Sequence, residues 1–521
     1  MPTDANSPED ALAVALAGSG AQVAFGVPGG GANLAMIGAL ERHGLRFVLA
    51  HAETPACIMA STYGHLSGSV SAAVVTRGPG AASAVNGAAQ ATLDRQPLIL
   101  ISDTVTTNQR DRVAHQRIDQ AGMLGPVCKT TMPLSTATAA QAVATARSWP
   151  PGCVHLDQDP AAADPAPTDE PSATGEAEAT KVATVIATAA RPVVIVGAGA
   201  LTAPAEVRAA IERFAAPTFT TYQAVGVIPT DSSTNAGLFT NGATEREFIG
   251  NADLVILIGL DMVEPIPAAW PTDAPVVSIA PIPTADPYAP IAHEVTGDVG
   301  ALAAECLGGN HEWDSTAAAT HRSATNASLR HHDGAGFGPI EVVDTALEWA
   351  GSVDRLTTTV DAGAHFLAIM PLWDVAEPGD LLISNGLATM GYAVPAAIGS
   401  ALARPEHRVL ALTGDGGLGM TLAELETIAR LDLSITVVVF NDAALSLIKI
   451  KQGPNQGGAA AVAFRPIDFA AVAQAHGTMG IVATNPDELA GALRATARGP
   501  ALIDARIDPS TYTHLFRVTR G

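Results

Sequence analysis

The feature that most constrains this chain lies in its last quarter. An apolar run, Val409–Thr413, stops at Gly414-Asp415-Gly416-Gly417, and a second, Ile435–Phe440, stops at Asn441-Asp442. A helical pattern, Thr421–Arg430, lies between them. Two buried runs joined by a helix make a parallel strand–helix–strand step, because a hairpin needs no such crossover. Both acids then stand at carboxyl ends of strands. The same alternation recurs along the chain. Strands are expected at 23–25, 47–50, 72–76 and 98–102, at 192–196 and 254–259, and at 381–384, with Ala-rich helical stretches between them. Ser7-Pro8-Glu9-Asp10 reads as a helix start, with a serine cap and proline at the first helical position. The expected fold class is α/β, three domains with parallel sheets, with ligands at the strands' carboxyl ends.

Two stretches divide the chain. Residues 157–180 are rich in Pro, Ala and acid; residues 308–338 are polar, with several His and Gly. Both read as linkers. They leave domains at 1–160, 181–307 and 339–521, and the first and third have room to share one architecture. Hydrophobic residues at 48% and charged residues at 15% exclude wholesale disorder. A net charge of −23 argues against nucleic acid or anionic membrane as partner. No apolar run approaches the ~18–20 residues of a membrane helix, and the first ten residues lack a signal-peptide pattern. Cys57, Cys128, Cys153 and Cys306 show no CxxC spacing, so buried reduced thiols are expected. The chain reads as a soluble, cytoplasmic protein.

The chemistry starts from the two acids. Gly416 and Gly417 beside Asp415 let phosphate oxygens approach backbone amides. Two hard oxygen ligands at one strand-end mouth suit Mg²⁺, which takes one or two carboxylates plus substrate phosphates. Gly-Asp-Gly alone also fits an ordinary strand-to-loop turn. Its pairing with Asn441-Asp442 makes the signal specific.

This pattern resembles the thiamine-diphosphate-binding motif of the acetolactate synthase-like, or pyruvate-oxidase-like, enzymes. The resemblance covers almost the whole chain, in order: FGVPGGG at 25–31, AETPA at 52–56, TRGPGAAS at 76–83, LDRQPLILISD at 93–103, RPVVIVGAGA at 191–200, DAGAH at 361–365, NGLATMGYAVPAAIG at 385–399 and GDGGLGMTLAELET at 414–427. It implies pyrimidine-binding, central and diphosphate-binding domains, with thiamine diphosphate and Mg²⁺ as cofactors. The family binds the cofactor between the first domain of one subunit and the third of another, so a homodimer or homotetramer is expected. Glu53 matches the glutamate that hydrogen-bonds the pyrimidine and drives its amino group towards the imino form, which takes the thiazolium C2 proton. No spacing identifies Glu53 independently, and read alone it is equally a helix-start glutamate. Met420 matches the apolar side chain under the cofactor's bend. Ala388 and Met390 match backbone grips on the pyrimidine, and Gly363, Ala364 and His365 match residues near the diphosphate. Mg²⁺ would be held by Asp415, Asp442 and the carbonyl of Ala444. The family usually has asparagine at 442.

On the substrate side, the resemblance implies that the amides of Gly29 and Gly30 polarise a carbonyl. Gln116 resembles a glutamine facing the reacting centre, and Lys129 a lysine near the active-site channel. His115 is either an acid/base or structural. The chain has only four lysines, and Lys449 and Lys451 follow the metal motif where the family shapes its substrate pocket. They point to a more anionic substrate than pyruvate, unless they lie on solvated surface. FAD-holding relatives carry an arginine just after the strand at 254–259. Here that stretch reads Asp261-Met262-Val263-Glu264, which makes FAD doubtful. The expected reaction is decarboxylation of a small-molecule 2-oxo acid with carboligation to an aldehyde or ketone acceptor. The alternatives are a non-ligating decarboxylase or lyase, and a non-catalytic paralogue.

Overall fold

The computed structural model describes residues 7–107, 112–158, 176–285, 289–331, 336–453, 455–496 and 499–521. The first sheet contains β1 (Val23–Val27), β2 (Arg46–Leu49), β3 (Ser71–Val75), β4 (Leu98–Ser102), β5 (Thr130–Pro133) and β6 (Cys153–Asp157). The second contains β7 (Pro192–Val196), β8 (Thr218–Thr220), β9 (Asn235–Leu238), β10 (Leu254–Ile258), β11 (Val276–Ala280) and β12 (Ile291–Thr296). The third contains β13 (Leu356–Val360), β14 (Leu381–Ile383), β15 (Arg408–Gly414), β16 (Ile435–Asn441), β17 (Met479–Ala483) and β18 (Ala501–Arg506). Every pairing within the three sheets is parallel.

Parallel sheets need cover on both faces, and the strands show why these can have it. Along β4, Leu98 and Leu100 enter one apolar cluster while Ile99 and Ile101 enter the cluster on the other face. The first sheet runs β2-β1-β3-β4-β6-β5, and the third runs β14-β13-β15-β16-β18-β17, the same order. The central sheet runs β12-β11-β10-β7-β8-β9. The first and third domains meet through the helices Glu53–Ser67 and Ala393–Ala403, whose buried faces share one core. Gly399 allows the contact, since a Cβ there would lie 2.5 Å from the carbonyl oxygen of Met59.

The expected strands appear within a residue or two, and Ser7 caps the first helix by accepting the amide of Asp10 at 3.1 Å. Three expectations need correction. Helix begins at Asp415 itself, runs to Thr421, and resumes at Glu424–Arg430, rather than running unbroken from 421. Of the first linker, residues 159–175 lie outside the described residues, and the rest continues into a helix, Glu176–Thr188. The second linker contains a helix, Ala317–Arg330. Only Ala318 and Leu329 of it are buried, so its apolar stripe is too thin to read. It is held instead by polar contacts, with Arg322 donating to the carbonyls of Ser232 and Asn235. All four cysteines are buried and unpaired. Among the described residues no helix is long and apolar enough to cross a membrane.

Candidate active site

In the third sheet the chain winds outward in both directions from β13 and β15. Ligands bind in α/β sheets at such a switch point, beyond the carboxyl ends of the strands. A cavity of about 230 Å³ lies there. Its walls come from four strand ends: Ala362–Phe366 after β13, Ala388 and Met390 after β14, Gly414–Gly417 at the end of β15, and Asp442 with Ala444–Ile448 after β16. Gly363, Ala364, His365, Ala388, Met390, Asp415, Gly416, Gly417, Asp442 and Ala444 all line this one cavity.

Asp415 and Asp442 face each other across its floor. Asp415 Oδ1 accepts the amide of Gly416 at 2.7 Å, while its Oδ2 is buried without a partner. Burial pushes its pKa up to about 6, and the charge of Asp442 adds to the rise. Asp442 Oδ1 accepts the amide of Ala444 at 3.1 Å, and its Oδ2 takes a very short hydrogen bond from the Ser446 hydroxyl. Burial raises the Asp442 pKa, and the Ser446 bond opposes that. Two carboxylates on one cavity wall, Asp415 buried with an orphaned oxygen and Asp442 half-buried, fit a hard divalent cation. At Gly416 a Cβ would lie 2.7 Å from Leu445 Cδ2, so a side chain there would have to displace the leucine's tip, whereas glycine leaves the backbone open.

His365 stacks on Phe440 with ring centroids 5.3 Å apart, and its Nε2 is buried without a partner. Burial holds its pKa down to about 3, so it stays neutral. Asp361, at the end of β13, braces the surroundings. It accepts the Gly391 amide at 2.8 Å and the Thr413 hydroxyl at 2.8 Å, and burial lifts its pKa to about 6. The loop carrying Ala388 and Met390 is also tied to the first domain. Asp94 Oδ1 accepts the amides of Asn385 at 3.0 Å and Gly386 at 2.6 Å, and Nε2 of Gln223 from the central domain at 3.2 Å. One carboxylate thus joins three domains.

Tyr512 completes the wall and has no counterpart among the expected residues. It starts the C-terminal helix Tyr512–Arg520, is 3% exposed, and lines the cavity. Burial raises its pKa, helped by the charges of Asp442 and Asp415, so a neutral phenol stands beside both acids. Nothing local in the sequence marks it, since only the fold returns the C-terminus to this mouth.

The remaining expected residues are not in this cavity. Glu53 opens its helix in the first domain, and its Oε1 lies 3.2 Å from where a Cβ on Gly80 would stand. Gly29 donates its amide to Asn33 Oδ1 at 2.8 Å, so that amide is taken, and of the pair Gly30 is the exposed one. Gln116 lies against Gly78, and His115 is exposed beside it. Met420 is 62% exposed. Lys129 does not line this cavity either. Its ammonium donates to the carbonyls of Thr145 and Ser148, both at 2.7 Å, and to the Ser148 hydroxyl at 2.9 Å, capping the end of a helix. Burial pushes its pKa down to about 8. Lys449 and Lys451 are exposed and do not line the cavity; Lys451 sits 5.8 Å over the ring of Phe516.

The central domain has its own switch-point crevice, between β7 and β10. The chain fills it. Glu264 Oε2 accepts the amides of Ala198 at 3.0 Å and Asp261 at 2.9 Å, and Oε1 accepts the Thr221 hydroxyl at 2.5 Å. The Gly199 amide donates to the Gly259 carbonyl at 2.7 Å, closing the two strand ends on each other. The crevice is thus occupied by the chain's own carboxylate. Asp261 instead holds Arg95 of the first domain in a two-pronged pair, at 2.6 and 3.0 Å.

Comparison with known proteins agrees with this layout. Residues 8–123 match the N-terminal TPP-binding domain of thiamine pyrophosphate enzymes, residues 179–306 their central domain, and residues 361–505 their C-terminal TPP-binding domain. The chain is 30% identical to an acetolactate synthase of Bacillus subtilis, over 94% of this chain and 91% of that protein. It is 28% identical to a catabolic acetolactate synthase of Raoultella terrigena, over 96% of this chain and 94% of that one. It is also 30% identical to a probable 2-ketoarginine decarboxylase of Pseudomonas aeruginosa, over 95% and 93% of the two chains.

Proposed function

Because the chain belongs to the thiamine pyrophosphate enzymes, we propose that it decarboxylates a 2-oxo acid and joins the remaining acyl unit to a second carbonyl compound. Thiamine diphosphate, when bound, supplies the nucleophilic carbon and the electron sink. The observation that carries the reading is the pair of acids at the switch point, of which Asp415 is buried with an unpaired oxygen. Asp415, Asp442 and the Ala444 carbonyl would hold Mg²⁺. The neutral ring of His365 and the phenol of Tyr512 would meet the diphosphate as uncharged donors. Met390 and Ala388 would grip the pyrimidine. Glu53 would hold a proton at its N1′ atom, and Gly30 would offer an amide to the substrate carbonyl. The mouth formed by Leu445, Leu447 and Ile448 is apolar and excludes water.

The cavity argues for a shared site. Its 230 Å³ is below the ~300–1,000 Å³ that encloses a whole ligand of this size. A second copy would supply the missing wall, bringing Glu53 and covering Met420. In this reading the central domain carries no flavin, supported by the Glu264 carboxylate in its crevice. The likeness to a decarboxylase favours one second reading, decarboxylation without ligation.

The test supplies purified protein with thiamine diphosphate, Mg²⁺ and a panel of 2-oxo acids, with and without aldehyde acceptors. CO₂ release and products are followed by mass spectrometry. A ligated hydroxyketone supports carboligation, and free aldehyde alone supports the second reading. Glu53→Gln should lower CO₂ release by roughly 10²–10⁴-fold. Full activity in that variant would remove Glu53 from the mechanism. A visible flavin absorption in the purified protein would overturn the reading of the central domain.

A further inference from the structure

The helix that opens with Glu53 lacks a local cap. The residue before it, Ala52, has no side chain able to accept the free amides at the helix start. The turn that leads into it is held from the third domain, hundreds of residues downstream. Glu424 is 1% exposed, and its Oε1 accepts the amide of His51 at 3.0 Å. Its Oε2 is fixed in turn by the Thr427 hydroxyl at 2.7 Å. Two neighbours on the same short helix hold the same turn: Glu426 meets the His51 ring at 2.8 Å, and Arg430 Nη2 donates to the Leu49 carbonyl at 2.5 Å. The turn just before Glu53 is therefore gripped at three points by the helix Glu424–Arg430.

We infer that Glu424 is a positioning residue for Glu53, setting the turn at 49–52 so that the Glu53 carboxyl keeps its place above Gly80. The inference rests on the proposed role of Glu53. Burying a carboxylate is costly, and burial does raise the Glu424 pKa. A serine or aspartate at 52 would reach only amides inside the first helical turn and not that of His51, which precedes the cap. What the distant carboxylate adds is registry. Glu424 follows directly on the segment that presents Asp415 to the cavity and Met420 to its rim. Because a shared site would take Glu53 to the partner copy's cavity, this grip seats the glutamate's turn on its own chain's third domain, and a displacement of about 1 Å at a reacting group can cost about 10²-fold in rate.

The test uses the full chain loaded with thiamine diphosphate and Mg²⁺. It compares Glu424→Ala, Glu424→Asp and Glu424→Gln with the parent and with Glu53→Gln. Four quantities are measured: deuterium exchange of the cofactor's C2 proton, CO₂ release, cofactor Kd, and Tm. Glu424→Ala and the shorter Glu424→Asp should both slow C2 exchange and kcat by roughly 10- to 100-fold. Cofactor Kd and substrate KM should stay within about twofold, since the cavity walls are untouched. Glu424→Gln keeps an acceptor for His51 and a donor for Thr427, and should restore most of the exchange rate. If Glu424→Ala fails to fold, Glu424→Asp carries the comparison. Unchanged exchange in Glu424→Asp, with Glu53→Gln slowed, overturns the inference while leaving the role of Glu53 intact. Kd and exchange failing together also overturns it, because the damage then lies in the cavity. Unchanged exchange in Glu53→Gln overturns the role of Glu53 itself.

Discussion

Glu264 is a carboxylate buried in the central domain's crevice, and its environment makes the cost of that burial measurable. Burial lifts its pKa from 4.5 to about 7, although three donors face it. The folded chain thus holds this proton more tightly than the unfolded chain. The stability it contributes is present below about pH 4.5 and is lost as pH rises through about 7, a difference of about 3 kcal/mol. In Glu264→Gln the amide oxygen takes both N–H groups, and the NH₂ turns to the Thr221 hydroxyl. The expected outcome is a flatter dependence of Tm on pH and a higher Tm than the parent at about pH 8. An equally steep profile in the variant would assign the proton elsewhere. At this scale the sequence was legible where chemistry and spacing coincide. Asp415 and Asp442 declare themselves because glycines and strand ends frame them. Tyr512 and Glu424 do not, since each acts across the fold. The helix-end acceptors of Lys129 are equally illegible, since no local pattern ties them to it.

At the scale of elements, the strands were legible and the polar helices were not. Runs such as Leu98–Ser102 and Leu254–Ile258 are buried on both faces, and little else gives four or five apolar residues between turn signals. Ala317–Arg330 hides because a helix with two buried residues leaves almost no periodicity. The contact between the helices Glu53–Ser67 and Ala393–Ala403 depends on glycine rather than on bulk. At Gly399 an added Cβ would meet backbone, which cannot step aside. Gly399→Val should therefore lower stability by at least about 1–3 kcal/mol, the usual cost of overpacking a filled core. Denaturant unfolding measures this. A change below about 0.5 kcal/mol would mean that the two helices part readily.

For the whole molecule, the decisive question is whether one chain holds a complete site. Met420, Ile448 and Phe464 are exposed around the third-domain cavity, and Leu34 and Ile118 are exposed on the first domain. Such apolar residues in two patches suit a two-fold pairing of copies. Mixing Glu53→Gln with Asp415→Asn provides the test. If each site takes Glu53 from one subunit and Asp415 from the other, half of the sites in mixed dimers are intact. Two inactive proteins should then regain about a quarter of parental activity after subunit exchange. No recovery, despite mass spectrometry showing mixed dimers, would place both residues in one chain's site.

The repeated strand order has a consequence of its own. The helix Glu53–Ser67 joins β2 to β3, and Ala393–Ala403 joins β14 to β15, so the two occupy equivalent places in sheets of identical order. They pack on each other. A contact between equivalent elements is what a two-fold axis makes between identical subunits. This polypeptide therefore has the form of a fused dimer, its halves related by an internal pseudo-axis and separated in sequence by the central domain. Fusion leaves each half free to differ: the third domain's switch point carries Asp415 and Asp442, while the first domain's equivalent helix opens with Glu53.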